Sequence, residues 1–497
     1  EVGMTRSMVD PCLWYWINPG TKYEFYITTD CGGGDTSTIT GPYLDTTNCV
    51  NTFAGNYTID GSQPTGGTNY NTFNEIVSEL MICGVTAPVT INVQPGTYNE
   101  QVKIGSIPGA SATNDVKFIG AGASNSTLIF TQNVSEERYT LALEDASHIT
   151  FDSMRIEADT NGSYGWGVQI MNNVNHFTLQ NSEVIVDPSQ TSSTRSAIVV
   201  SSNNSGFSSV SGTSDLTFDN NHISGGYYGI RVQGGNNDEV TNVTFTNNLI
   251  EEVYYYGNYF LYVDGLNYDQ NTLDMTRNFG NSTVNSYGFY GSRVSDFVLS
   301  NNKFNNMGSY GFYLTNCFGT SANPSAVANN AIGGGFTSTS ATTTAGIRVL
   351  NGSTEYVDFV HNSVNMDSGD GRAFSISSSN VSNLRLYNNN FVYTAGAAGM
   401  AYYVEDPANI TESNNNNYYS NGNSFAYYGS GISDLAALQA VNIPTGNDTA
   451  SVNLDPFYIS GDSLVPQSAG LAGTGFTIPQ VPIDINGATR GTPPDMG

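Results

Sequence analysis

One phrase recurs along most of this chain. A short strand-like segment such as YGIRV (Tyr228 to Val232) is followed by a second such as NVTFTNNLI (Asn242 to Ile250). The first returns as WGVQI from Trp166, AIVVS from Ala197, FLYVD from Phe260, YGFYG from Tyr287, YGFYL from Tyr310, AGIRV from Ala345, RAFSI from Arg372 and AYYVE from Ala401. The second returns as DLTFDNNHI from Asp215, DFVLSNNKF from Asp296 and NLRLYNNNF from Asn383. Both series advance by roughly 28 residues per copy, a solenoid period too short for a string of independent domains. Apolar residues alternate within each segment, so the copies read as β-strands stacking about 4.8 Å apart. The spacing predicts about twelve coils between Pro88 and Tyr418, a rod on the order of 55 to 60 Å long.

Stacked coils place equivalent residues in columns. Aligning the second strand puts Asn181, Asn220, Asn247, Asn301 and Asn388 in one column, with His361 at the same place. An inward-turned Asn at a bend is expected to hydrogen-bond to its neighbours above and below, which makes the column structural.

Composition narrows the partners. Forty-three acidic and fifteen basic residues give a formal charge of -28, which repels phosphate backbones and anionic lipid, so nucleic acid is not an expected partner. No apolar run is long enough to cross a bilayer, so membrane insertion is not expected either. The acidic excess suits calcium, which takes carboxylate and carbonyl oxygens. Four of the five cysteines (Cys12, Cys31, Cys49, Cys83) fall in the first fifth of the chain, and Cys317 sits alone inside a repeat. That distribution predicts disulfides Cys49–Cys83 and Cys12–Cys31, a buried Cys317 and an oxidising, extracellular compartment. Glu1 opens no signal peptide, so the chain reads as a mature product or part of a longer one.

Three regions follow. Residues 1–48 read as short strands with Gly and Pro punctuation. Residues 49–425 form the solenoid, with a capping helix near 70–83. There Phe73, Ile76, Val77, Leu80 and Met81 fall at helical spacing and would close the open end of the stack. Residues 426–497 form an irregular C-terminal capping segment.

The residues also carry resemblances. NPGTKYEFYITTDCGGGDTST, from Asn18, resembles the last strands of a fibronectin type III domain. The earlier strands are missing, so either a preceding part was removed or another chain completes a partial β-sandwich. PVTINVQPGTYNEQVKI from Pro88, followed by the repeated strands, resembles the right-handed parallel β-helix family that includes pectate lyases and many bacterial surface proteins. The closing PIDINGATRGTPPDMG is similar to the end of secreted members of that group. These resemblances imply an all-β solenoid, and the family includes enzymes and non-enzymes. Asp-Ser/Thr triplets at Asp45, Asp152, Asp448 and Asp462 resemble the short O-glycosylation signal of bacteria with type IX secretion, and so imply a surface glycoprotein.

Few sets of residues in the sequence could carry chemistry. A lyase of this family needs a carboxylate cluster for calcium beside an Arg or Lys base, whereas Arg231, Arg277, Arg293, Arg348, Arg372 and Arg385 are scattered. The DD pair and GHG motif of polygalacturonases are absent, and of the pectin esterase motifs only the opening Gly96, Tyr98, Glu100 is present. His148 and His176 repeat one coil apart with Asp215 next in the column, a set that could bind a metal at the surface. EEVYYYGNYFLYVDGLNYDQ, from Glu251, gathers Tyr254, Tyr255, Tyr256, Tyr259, Tyr262, Asp264 and Tyr268, aromatic faces beside acids that suit sugar rings or a protein surface. Stacking along the solenoid is the plainer account of any single one of these tyrosines.

The expected function is a non-catalytic, secreted or cell-surface β-helix protein, adhesin-like or a fibre subunit. It would self-associate or bind other surface proteins, assembling head-to-tail by strand complementation at residues 1–48. The alternatives are a polysaccharide lyase or glycoside hydrolase acting on acidic glycans, and a carbohydrate-binding module.

Overall fold

The computed structural model describes residues 22–27, 38, 40–46, 49 and 52–497, apart from 279–284, 339, 351, 397, 443–444 and 462. From Phe53 onward the chain is a right-handed parallel β-helix of about thirteen turns. The stack outruns the span from Pro88 to Tyr418 because strands at both ends join it. Phe53–Ile59 pairs in parallel with Val85–Val93, and Ala426–Tyr428 pairs with Met400–Val404.

Each turn carries three strands, one more than the repeated phrase reveals. In one turn these are Tyr228–Gln233, Val240–Thr246 and Leu249–Glu251. The third strands are mostly three to five residues long, too short to show alternation, yet they build a twelve-stranded sheet. Like residues stack in register: Tyr228 faces Tyr256, Phe218 faces Phe245, and Ile223 faces Ile250. Inside, Phe118 stacks on Phe151 at 4.7 Å and Phe218 on Phe245 at 4.4 Å. The glycine of the xGIxV strands is sterically required. A Cβ on Gly257 would stand 2.7 Å from Leu273 of the third strand and 2.8 Å from the Gly288 carbonyl.

At the bend between the second and third strands the buried ladder lies one residue beyond the predicted column. Asn181, Asn220, Asn247, Asn301, His361 and Asn388 take left-handed φ values of 50° to 60°. That conformation turns the chain, and Asn tolerates it well. Their side chains point outward: Asn181, Asn220 and Asn247 are exposed, and only where the C-terminal segment crosses them are His361 and Asn388 buried. The next residues, Asn221, Asn248, Asn271, Asn302, Asn330, Asn362, Asn389 and Asn416, are the inward set. Each donates its Nδ2 to a second-strand carbonyl of the preceding turn, as Asn302 does to Tyr268 at 3.0 Å. From Asn221 to Asn389 each also donates to the Oδ1 of the next ladder Asn, as Asn302 does to Asn330 at 2.9 Å. The ladder ends on Ser451, whose Oγ accepts from the Asn416 amide.

Helix Phe73–Cys83 closes the first turn. Thr72 and Glu75 form a capping box, and the carboxylate of Glu100 accepts from the amides of Phe73 and Asn74 at 2.9 Å. The Gly96, Tyr98, Glu100 phrase therefore serves the cap: Tyr98 donates to the Ile59 and Gln94 carbonyls. Phe73, Ile76, Val77 and Leu80 are buried against the first turns, and Cys83 is joined to Cys49 by a disulfide. At the far end, helix Leu435–Val441 leads to Asp448. Its buried carboxylate accepts from Ser413, Tyr418, Ser451 and Asn442 and pins the segment to the last turn. The remaining residues run back along the Asn bend as a strap. Phe476 exchanges two hydrogen bonds of 2.7 Å with Asn388, and Arg490 donates to Asn329 at 2.6 Å.

Of residues 1–48, Lys22–Ile27 and Thr40–Thr46 pair antiparallel. The rest of the predicted sandwich, and Cys12 and Cys31, lie outside the described residues. Cys317 is fully buried, and burial pushes its thiol up to about 12. No helix among the described residues is long and apolar enough to cross a membrane.

Candidate functional site on the first-strand face

The tyrosines gathered in the sequence after Glu251 disperse to three places, because one strand, Tyr256–Asp269, runs round a corner of the coil. Tyr268 points inward and is fully buried in the core. Tyr254, Tyr255, Tyr256 and Tyr259 stand on the outer face of the first strand. Tyr262 and Asp264 lie at the turn between the first and second strands, where the Arg293 guanidinium sits 5.2 Å from the Tyr262 ring centre.

On the first-strand face the rings form two stacked columns. Tyr228, Tyr256, Tyr287 and Tyr310 follow one another at 5.0, 4.8 and 4.6 Å, with interplanar angles of 4°, 17° and 25°. Tyr259, Tyr290 and Tyr313 do the same at 4.9 and 5.2 Å. The columns meet nearly at right angles, as between Tyr256 and Tyr259 at 82°, so together they make a herringbone. Both faces of the inner rings are therefore covered by the rings above and below, and they are not free to stack on a sugar. Burial among their neighbours pushes Tyr228 and Tyr290 up to about 12.

Arginines close both ends of this ladder. Arg231 lies between Phe207 and Tyr259, 4.1 and 4.2 Å from their ring centres. Arg348 lies 5.7 Å from the Tyr310 centre. One turn further on, Arg372 covers Tyr403 at 3.3 Å. Arg231, Arg348 and Arg372 are only 7%, 7% and 9% exposed.

Arg348 and Arg372 stand on adjacent turns, since Ala345 pairs with Arg372 and Arg348 with Ser375. Among the described residues neither makes an ion pair with a carboxylate. Arg348 donates to the Thr343 carbonyl, and Arg372 to the hydroxyls of Ser375 and Ser377 at 3.4 and 3.3 Å. The Nε of each is buried without a hydrogen-bond partner. Burial lowers the Arg372 pKa; Tyr403 and the nearby Glu405 carboxylate oppose this, and the like charge of Arg348 adds to it. Two buried guanidiniums on adjacent turns, neither in an ion pair among the described residues, concentrate positive charge beneath the outer face of the first strands. The sequence held the signal in the R of AGIRV and of RAFSI, but only the register brings the two together.

The remaining candidates do not converge. His148 and His176 stack face to face with ring centres 4.4 Å apart, and His176 Nδ1 lies 3.9 Å from Asp215. Lone pairs lie in the ring plane, so stacked imidazoles direct them side by side and away from a common ion. Among the described residues no group of three His, Cys, Asp or Glu side chains is placed to hold a metal.

Comparison with known proteins agrees with this architecture. The family model described as right handed beta helix region matches residues 167–364. Three solved structures are similar to the chain at low identity. Pectate lyase Pel9A is 11% identical over 90% of this chain and 96% of its own, with a TM-score of 0.37. The catalytic domain of a GH87 alpha-1,3-glucanase is 16% identical over 84% of this chain and 71% of its own, with a TM-score of 0.43. Alginate lyase from Paenibacillus sp. is 13% identical over 62% of this chain and 91% of its own, with a TM-score of 0.34. Likenesses at this level carry no residue over to this chain. A search of curated proteins finds no match.

Proposed function

We propose that the chain acts on an acidic polysaccharide laid along the outer face of its first strands. The observation that carries this is the Arg348 and Arg372 pair: two buried cations on adjacent turns, without a carboxylate partner and each with an idle Nε. A uronate carboxylate laid over this face would be drawn by the two like charges beneath it and would relieve the repulsion between them. The sheet supplies a straight track. From Tyr259 through Tyr403 to Tyr427 the outward residues advance one turn at a time, over about 29 Å at the spacing of stacked strands. The chemistry this set suits is β-elimination. The arginines neutralise the carboxylate, the C5 proton passes to a base, the C–H electron pair forms the C4–C5 double bond as the C4–O bond breaks, and the departing oxygen takes up a proton from water to become a hydroxyl.

This reading takes the acidic-glycan alternative in preference to the surface fibre. Strand complementation, the basis of the fibre reading, falls largely on residues outside the described ones. Incubation with polygalacturonate and with alginate, following ultraviolet absorbance and reducing ends separately, tests the proposal. Both signals should rise together for one of these polymers and disappear in the Arg348→Met, Arg372→Met protein. Reducing ends without absorbance would replace elimination by hydrolysis. Absence of both, with no binding, would overturn the reading.

A further inference from the structure

A second site lies round the corner, at the turn from first to second strand. There the chain takes a left-handed residue, and the successive turns supply Asp145, Asn173, Gly212, Asn316 and Gly352, all types that suit φ near 55°. Two consecutive turns break this pattern with Tyr262 and Arg293, at φ 55° and 54°. In the next column, which holds His148, His176, Asp215, Asn242, Gly265, Asp296 and Asn383, Tyr356 takes φ 52°. Bulky side chains are disfavoured in this conformation relative to Asn or Gly. Nothing in the fold calls for them, and all three of these substitutions line the same open cleft of about 630 Å³.

The cleft differs from the tyrosine ladder in its chemistry. Tyr262 and Tyr356 have no ring stacked on them among the described residues, and Phe318 beside them is 41% exposed. The Tyr356 ring and the face of Tyr262 away from Arg293 are available to a ligand. Arg293 braces Tyr262 from one side, and the carboxylates of Glu239 and Glu355 reach the rim. Aromatic faces for C–H surfaces, with carboxylates around them to accept from hydroxyls, are what a pyranose ring requires. Two carboxylates against one guanidinium disfavour an anion.

We propose that this cleft is a carbohydrate site for an uncharged saccharide, separate from the arginine pair and independent of any turnover there. It would hold a neutral chain or branch while the first-strand face holds the acidic one. The test is isothermal titration of the full chain with neutral xylo-, manno-, cello- and chito-hexaoses. One of these should bind, and Tyr262→Asn and Tyr356→Asn should each weaken it by about tenfold or more. Both variants should keep or raise the melting temperature, because Asn suits the backbone better than Tyr, so lost binding cannot be ascribed to misfolding. The Arg348→Met, Arg372→Met protein should retain the neutral ligand. The proposal fails if none of the four binds at millimolar concentration, or if the Asn variants bind as wild type. It also fails if the arginine variant is the one that loses binding, which would place the neutral sugar on the first-strand face.

Discussion

Neighbouring residues at the bend of each coil do opposite work. Asn301 turns the chain from outside with φ 57°, while Asn302, fully buried, joins two turns through its amide. Replacing Asn301 by Ala should cost about 1 to 2 kcal/mol, the left-handed penalty. Replacing Asn302 by Ala strands the Tyr268 carbonyl and the Asn271 backbone N–H, which donates to Asn302 Oδ1, and should cost about 2 to 4 kcal/mol. Urea denaturation of the two variants checks the order, and the reverse order would restore the predicted column as the inward one. The NN doublet announces a ladder in the sequence, but two adjacent asparagines look alike there, and only the backbone conformation tells which one turns inward.

His361 occupies the outer column where the strap covers it. The Phe476 amide donates to Asn388 Oδ1, which leaves Asn388 Nδ2 to face His361 Nε2 at 2.9 Å. That nitrogen must accept, so the ring is neutral, and burial with Arg490 nearby pushes its pKa down from 6.5 to about 3. The folded state thus resists a proton that the unfolded chain takes up below about pH 6.5. Stability should fall as pH drops from there toward 3, by up to about 1.4 kcal/mol per pH unit, and His361→Asn should remove this slope. Denaturation midpoints measured at several pH values for both proteins would show it; parallel curves would refute it.

At the scale of elements, the herringbone of tyrosines shows why sequence proximity misled. Six tyrosines within Tyr254 to Tyr268 suggest one aromatic patch, but a strand that rounds a corner sends its residues to the core, the outer ladder and the cleft. What the sequence does display is the Tyr-Gly-x-Tyr rhythm of YGFYG and YGFYL, and that rhythm is the ladder itself. The capping helix was legible for a local reason: Phe73, Ile76, Val77 and Leu80 follow helical spacing behind a Thr–Glu capping box. Its disulfide closes a separation of 34 residues, so reduction should destabilise the capped end by about 4 kcal/mol. A reducing agent should accordingly lower the melting temperature of wild type and leave a Cys49→Ser, Cys83→Ser protein unaffected. An unchanged wild-type transition would mean that the cap is held by packing alone.

For the whole molecule, the repeat made the solenoid plain while leaving the site obscure. A fold built on stacking repeats its signal in every turn, whereas a binding site appears once and is assembled from different turns. Arg348 and Arg372 are separated by a full coil in sequence and meet only through register. They also stand against the general field of a chain with formal charge -28. Its long-range repulsion of a polyanion is screened by salt, whereas buried contacts are screened much less. Association with an acidic glycan should therefore quicken as ionic strength rises.

The most direct test of the arginine site is calorimetric titration with one uronate oligosaccharide in its native and carboxyl-reduced forms, using wild type and the Arg348→Met, Arg372→Met protein. Wild type should bind the native form and lose most of its affinity for the reduced one. The double variant should bind neither form, yet unfold at the same or a higher temperature, since two uncompensated buried charges have been removed. Equal binding of the native oligosaccharide by both proteins, or a marked loss of stability in the variant, would contradict the assignment of these arginines as an anion receptor.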